Sequence, residues 1–294
     1  MRITPTIQTR TFLENLSRLR TREDQAHAEL SSGKSVNRLS DNPFAASQAS
    51  RITSVMAEND QFIKINEQLQ GRLQTTDSVL QALIQSIDAG KSLAAQALSG
   101  TTTPESRAAL ATALEGVRQQ VLSASNTQFD GNYLFAGTET STQPFVDMAG
   151  TVAYQGNDEA IYQRLDRSVV VQTNITGQDL FVGAPSPFDV LTNLKTAITN
   201  NDATAIRAGL ADLDAIQNRM NTTAASVGNN IRLTEQLQNA LHTHNQTLQE
   251  HVSTMTDADM AKSITDLNLT TQAISAALGA QAKVQQFSLI DFLR

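Results

Sequence analysis

The 294-residue chain has no cysteine and no tryptophan, and its aromatics amount to ten phenylalanines and three tyrosines. Without cysteine there are no disulfides and no thiolate metal sites, so the fold is stabilised by packing alone. So few aromatic rings cannot fill a thick globular interior. Ala, Leu, Gln, Asn, Ser and Thr dominate instead, a mix suited to helices that meet along narrow seams. No apolar run approaches the roughly 20 residues that span a bilayer. The start, MRITPTIQTRTFLENL, has no stretch long enough for a cleavable secretory signal, so export, where it occurs, takes another route. A net charge of −7 argues against nucleic acid, whose phosphates demand clustered Lys and Arg. Residues 1–51 are the local exception, with eight Lys or Arg against five Asp or Glu, and read as an exposed, mildly basic leading segment.

Catalytic constellations are missing too. Gly33-Lys34-Ser35 ends like a phosphate-binding loop, but Ala28 stands where the first glycine of that motif belongs and a helical segment precedes it instead of a strand. The segment reads as a helix ending at Ser31-Ser32, with Gly33 supplying a permissive backbone and a new helix capped at Asp41 or Asn42. His242 and His244 point to nearly opposite sides of a helix, and His244 and His251 lie two turns apart, too far for one metal ion. Neither a G-x-S-x-G elbow nor a Cys nucleophile occurs. Asp257 and Asp259 open a helix, where carboxylates complement the dipole. The residues point to no enzyme, no metal and no cofactor.

What is present is a heptad pattern. One stripe runs Phe12, Leu16, Leu19, Glu23, Ala26, Leu30. A second passes from Ile52 through Leu69, Leu73, Leu80, Leu83 and Ile87 to Ala97, with ten of its fourteen positions apolar. A third runs from Ile206 through Leu213, Met220 and Leu241 to Met255, with eleven of fifteen apolar and no slip in phase. Both long stripes define coiled-coil seams. A helix from Pro43 to about Ser99 would be roughly 85 Å long, whereas a compact globule of this size would be about 50 Å across. An elongated molecule is the expectation. Asn59, Asn66, Gln217, Thr234, Gln238 and Asn245 fall at core-phase positions, where buried polar groups fix register at a cost in stability.

Asp41-Asn42-Pro43, Thr103-Pro104 and Ser186-Pro187 each place a capping residue before a proline, predicting helix starts. A shorter helix from Pro104 to about Gln128 carries Leu110, Leu114, Val117 and Val121 on one face. Between residues 131 and 185 glycines punctuate short runs such as Thr151-Val152-Ala153-Tyr154 and Ser168-Val169-Val170-Val171. These read as strands and hairpins. From Asp257 helical spacing resumes at Ile264, Leu267, Thr271, Ile274 and Leu278, ending on the apolar Phe287, Leu289, Ile290, Phe292 and Leu293. Such an end suggests burial against something outside this chain.

The resulting expectation is a mainly-α protein: an elongated antiparallel coiled-coil or helical bundle made from both chain ends, with a small β-rich inserted domain. Its parts are an N-terminal assembly segment (1–42), disordered or partly helical in the monomer, and the first half of the helical rod (43–130). The β-rich insertion (131–186), the second half of the rod (187–256) and a C-terminal assembly helix (257–294) follow.

Two motifs at opposite ends carry a resemblance. Leu30-Ser31-Ser32-Gly33-Lys34-Ser35-Val36-Asn37, followed by Asp41-Asn42-Pro43, resembles the N-terminal signature of the bacterial flagellin family. Asp257-Ala258-Asp259-Met260-Ala261, then Gln281-Ala282 and the apolar finish, match its C-terminal one. The similarity covers roughly residues 1–130 and 205–294. Asn42 replaces the family's usual second Asp, and Phe44-Ala45 its usual Ala-Gly. Gly131-Asn132-Tyr133-Leu134-Phe135-Ala136-Gly137 and Pro144-Phe145 look like the members at the junction between hook and filament.

The resemblance implies a structural adapter ring, built from copies of this chain, between a hook-side junction protein and the first turns of flagellin. The alternative it leaves open is flagellin itself, the bulk filament subunit. It also implies unfolded export through the flagellar type III apparatus, a cytoplasmic export chaperone near the C-terminal helix, and no nucleic-acid or membrane partner. Subunit assembly would rest on Phe12, Leu16, Leu19, Leu30, Ile264, Leu267, Ile274, Leu278, Leu289 and Phe292. The helix break and cap would rest on Gly33, Asn37, Asp41, Asn42 and Pro43. Asp88-Ala89-Gly90-Lys91-Ser92-Leu93-Ala94-Ala95-Gln96 lacks the arginines and glutamate through which flagellins are sensed by an innate immune receptor, so weak or absent recognition is expected.

Overall fold

The computed structural model describes residues 5–99, 102–148 and 150–292, with side chains described for all of these except residues 5, 6, 8 and 284–292. Helices α1 (Pro5–Ser32), α2 (Pro43–Ala97) and α3 (Pro104–Ser125) come first. Six short strands follow: β1 (Gln128–Phe129), β2 (Asn132–Tyr133), β3 (Phe145–Met148), β4 (Thr151–Tyr154), β5 (Tyr162–Arg164) and β6 (Val170–Gln172). A single π-helical turn, Gln178–Val182, leads to α4 (Pro187–Thr199), α5 (Ala203–Thr256) and α6 (Met260–Phe292). The chain is mainly α with a small β-containing insert. It divides into two compact units, one comprising residues up to Glu58 together with those from Thr243 onward, the other Asn59–His242.

The second unit holds the hydrophobic core. There α2 and α5 run antiparallel, since rising numbers on one meet falling numbers on the other. Gln70 Nε2 donates to Glu235 Oε1 at 3.0 Å, and Gln217 Nε2 to Asp88 Oδ1 at 2.7 Å. The heptad stripe delivers Leu80, Leu83 and Ile87 of α2 into full burial with Leu213, Ile216 and Met220 of α5. α3 and α4 pack together and complete this core with Leu114, Val121, Leu191, Leu194 and Ile198. Sealing each such aliphatic side chain stabilises the fold by about 1.5–3 kcal/mol. Glycine admits the neighbours at one point in particular: a Cβ on Gly209 would stand 2.5 Å from the Leu194 side chain, closer than any real packing allows.

The polar seam residues divide. Asn59, Asn66 and Thr234 are buried, whereas Gln217, Gln238 and Asn245 are partly exposed. Asn66 Nδ2 donates to the carbonyl of Leu165, in the turn between β5 and β6, which fastens that hairpin to α2.

The insert is three separate antiparallel hairpins, β1–β2, β3–β4 and β5–β6. Asp130-Gly131, with φ of 50° and 77°, makes the two-residue turn of the first; positive φ at both positions is what the tightest hairpin turn requires. Strands of two to four residues cannot bury a face by themselves, so aromatic packing supplies the centre. Phe145 lies 4.9 Å from Phe181 and 5.0 Å from Tyr154, ring centre to ring centre, and Phe135 lies 5.3 Å from Phe181. The scarce aromatic rings are concentrated where secondary structure is weakest.

Charge ties the insert to the helices. The buried Arg118 of α3 donates from Nη2 to Asp147 of β3 and from Nε to Glu115 Oε1 at 2.9 Å, while Lys195 of α4 donates to Glu115 Oε2 at 3.0 Å. The Arg118 hydrogen bond, joined by the Gly150 N–H, holds the Asp147 carboxyl below its ordinary value. Burial pushes Glu115 upward, but bonds from Lys195 and Arg118 outweigh it and leave its carboxyl lowered as well.

One helix cap differs from the sequence expectation. Thr103 caps α3, accepting from the Ser106 N–H at 3.2 Å, but Ser186 makes no side-chain cap bond at α4, where Pro187 alone sets the first turn. Within 187–256, α4 and α5 are separate helices. Asn201 takes φ 58° and the Asp202 carboxylate accepts from the Thr204 and Ala205 N–H groups at 2.9 and 3.0 Å, so the chain turns and begins again.

Candidate assembly surface

The first unit is built differently. α1 ends at Gly33, whose φ of 71° and N–H bond to the Glu29 carbonyl (2.8 Å) form a left-handed C-terminal cap. The chain then makes a compact connection. Asp41 Oδ2 accepts from the N–H groups of Asn37 (3.0 Å) and Arg38 (2.7 Å), and Asn37 Nδ2 donates back to the Lys34 carbonyl at 3.0 Å. Asn42 is the N-cap of α2: its Oδ1 accepts from the Ala45 N–H at 3.1 Å, with Pro43 at the first helical position, where a missing N–H costs nothing. Thus Asn37 and Asp41 shape the connection while Asn42 and Pro43 start the helix.

This connection pairs with the turn between α5 and α6. Ser35 N–H donates to the Thr256 carbonyl at 2.8 Å, and Ala258 N–H to the Gly33 carbonyl at 2.9 Å. Asp259 then caps α6, accepting from the Lys262 N–H at 3.1 Å. Both chain ends are therefore clamped, backbone to backbone, where their helices turn.

Beyond the clamp α1 and α6 pack antiparallel, but their seam is thin. Ser263 donates to Glu29 Oε2 at 2.7 Å and Thr271 to Glu23 Oε1 at 3.3 Å. Among the described residues the sealed positions are Ala26 on α1 and Ser263 and Thr270 on α6. Ser263, Thr270 and Ala277 repeat at seven residues. This line of small side chains lies one step from the apolar stripe that dominates the sequence, and the contact depends on it. A heptad search for small residues, as well as large ones, finds it.

Of the stripe residues, Phe12, Leu16, Leu19, Leu30, Leu267 and Ile274 are half-buried, while Ile264 and Leu278 remain exposed. Leu289 and Phe292 lie outside the described side chains. Ile7, Leu13, Met260 and Leu269 are exposed too, and Leu39 and Phe44, flanking the helix break, are each 72% exposed. A groove of about 560 Å³ runs between the helices, with Leu19, Ala26, Leu269 and Ala273 as its apolar lining and Arg22 and Lys262 among its charges. Among the described residues, no group of His, Cys, Asp and Glu could hold a metal ion, and no helix is long and apolar enough to cross a membrane. What the surface offers is large apolar side chains on paired helices, the chemistry of helix docking.

The N-terminal helical region of bacterial flagellin matches residues 5–140 of this chain, and the C-terminal helical region matches residues 210–293. The chain belongs to the bacterial flagellin family. Over 290 residues it is 28% identical to flagellar hook-associated protein 3 of Escherichia coli, covering 90% of each chain. Over 154 residues it is 32% identical to flagellar hook-associated protein 3 of Salmonella typhimurium, covering 52% of this chain and 48% of that one. Bacillus cereus FlgL shares the fold with a TM-score of 0.61 at 22% identity, over 69% of this chain and 99% of its own. The flagellar junction protein FlgL of Legionella pneumophila does so with a TM-score of 0.62 at 14% identity, over 71% and 100%.

Proposed function

We propose that this chain is a structural adapter of the bacterial flagellum, joining the hook to the flagellin filament by assembling with copies of itself through α1 and α6. The observation that carries this reading is the mismatch in the first unit between apolar surface present and apolar surface sealed. Ordering each residue costs about 1–2 kcal/mol of backbone entropy, and burial returns roughly 25 cal/mol per Å² of apolar surface. A helix pair that, among its described side chains, seals only alanine and hydroxyls while Leu13, Ile264, Leu269 and Leu278 face water gains little against that cost. Neighbouring copies supply the missing cover, so ordering of the terminal helices and ring formation are one event. The hook-associated names of the relatives favour the junction over the bulk filament.

The remaining parts of the reading follow from the same role. Its neighbours are a hook-side junction protein on one side and flagellin on the other. Weakly held ends suit passage through the flagellar type III apparatus, accompanied by a cytoplasmic chaperone that covers the C-terminal helix. The working location is outside the cell, at the hook–filament junction. Deleting the gene is the test: cells keep their hooks and shed unpolymerised flagellin into the medium. Normal filaments in the deletion strain would overturn the reading, and a purified chain polymerising by itself into long filaments would transfer it to the bulk subunit.

A further inference from the structure

The turns that root the two terminal helices cap each other. α1 and α5 both end here, and a helix end leaves carbonyls without intrahelical partners. The Thr256 carbonyl, the last of α5, accepts from the Ser35 N–H at 2.8 Å, the Val36 N–H at 3.3 Å and the Ser35 hydroxyl at 3.2 Å. In return the Gly33 carbonyl, just past α1, accepts from the Ala258 N–H at 2.9 Å. Lys34 and Asp257 stand opposite each other as an antiparallel pair among these bonds. Each segment thus completes the other's helix end.

Sealing of the α1–α6 seam fades with distance from this point. Among the described residues of those two helices, every sealed side chain lies between Ala26 and the Gly33 turn or between Ala258 and Thr270. The Glu29–Ser263 bond (2.7 Å) stands close to the turns and the Glu23–Thr271 bond (3.3 Å) farther out. Toward the chain ends Phe12 and Leu16 are only half-buried, and Leu13 and Leu278 are exposed. Unless their roots are tied, α1 and α6 are separate tails. With the turns paired, the Glu29–Ser263 bond closes a loop of only a few residues, and the entropy cost of closure rises with loop length. Each contact then brings the next within reach, and neither helix has the seam without the other.

We infer that residues 33–36 and 256–258 form a latch on which the order of both terminal helices depends. With the latch shut, α1 and α6 pair from their roots toward the chain ends; with it open, neither is held. The latch governs how the helices of the proposed assembly surface order, whatever partner covers them afterwards.

The absence of cysteine permits a direct test. Residues opposed across an antiparallel pair lie about 4.5–5.5 Å apart at Cα, a span that a disulfide bridges, and Lys34 and Asp257 are both exposed. In the full chain, the double variant Lys34→Cys/Asp257→Cys is oxidised with glutathione disulfide, and its amide hydrogen exchange is compared with that of its reduced form. Oxidation is expected to slow exchange by about tenfold or more on both sides of the staple. The slowing should appear in residues 20–32 and 260–272 together and weaken progressively toward both chain ends. Amides of the second unit, the internal reference, should stay unchanged. Failure of the thiols to join, unchanged exchange beside the joined pair, slowing of α1 or α6 alone, or equal slowing along their whole length would each overturn the inference.

Discussion

Both units are made from the same materials: long helices rich in Ala, Leu, Gln and Thr, each with a heptad stripe. In the second unit Leu80, Leu83, Ile87, Leu114 and Leu213 are completely sealed. In the first, the only sealed hydrophobic side chains among those described are Ala26 and Ala45, and the other closed positions are the hydroxyls of Thr256, Ser263 and Thr270. Every member of the continuous hydrophobic cluster belongs to the second unit. A heptad stripe, then, reports a helix that has something to bury, not one that has buried it. Four helices and an aromatic cluster close the second unit within one chain, while in the first α1 and α6 meet along a line of small side chains.

The largest consequence concerns order in the free subunit. Local opening free energies run from near zero to the global value according to buried apolar contact. In amide hydrogen exchange on the dilute monomer, residues before about 40 and after about 265 are expected to exchange rapidly, and those of the second unit slowly. Uniformly slow exchange from α1 to α6 would erase the contrast between the units and the assembly account with it.

Single substitutions sharpen the same contrast. Leu83→Ala leaves a cavity in a sealed core and is expected to cost about 2–5 kcal/mol of unfolding free energy by denaturant titration. Ile264→Ala, at a position exposed in the single chain, is expected to stay within about 0.5 kcal/mol. Its effect should appear instead as weakened incorporation at the hook tip. Equal stability losses at both positions would mean that the first unit is as closed as the second.

Much of this was legible in advance, and the reasons are local. Pro43, Pro104 and Pro187 mark helix starts because a proline at the first turn sacrifices no hydrogen bond. The stripes through Leu83 and Leu213 mark the core because their period is that of a helix. The α4–α5 break was harder to see. It rests on Asn201 adopting a left-handed backbone and Asp202 capping, a pair that reads as two more polar residues inside a helical run. The α1–α6 seam escaped notice because large side chains draw the eye, whereas close helix contact there runs through Ala26, Ser263 and Thr270. Asp41 and Asn42 were both visible as possible caps. Only the geometry separates them, assigning the connection to one and the helix to the other.

The ion network of the second unit predicts a pH dependence with a definite sign. Asp147 and Glu115 have folded-state pKa values below their ordinary ones, so their contribution is complete above the ordinary carboxylate range and is lost as pH falls through the lowered values. Thermal midpoints should therefore drop on acidification below about pH 4. Arg118→Met removes the main donor to Asp147 and one of those to Glu115, which keeps its bond from Lys195. It is expected to cost about 1.5–3 kcal/mol at neutral pH, the worth of hydrogen bonds to charged groups, and to flatten the acid limb. An unchanged acid limb in the variant would show that other carboxylates govern it.

The smallest effects divide the units most finely. Asn42 and Thr103 perform the same task, each accepting a first-turn N–H of its helix, at 3.1 and 3.2 Å, and removing either cap costs about 1 kcal/mol. That equal loss should register in different observables. Thr103→Ala weakens a helix of the closed core and lowers the main unfolding midpoint. Asn42→Ala loosens the start of α2 within the open unit, so the midpoint should hold while amides from Ala45 to Glu58 exchange faster. If both substitutions lower the midpoint alike, the two units unfold as one cooperative body and the difference in sealing has no energetic meaning.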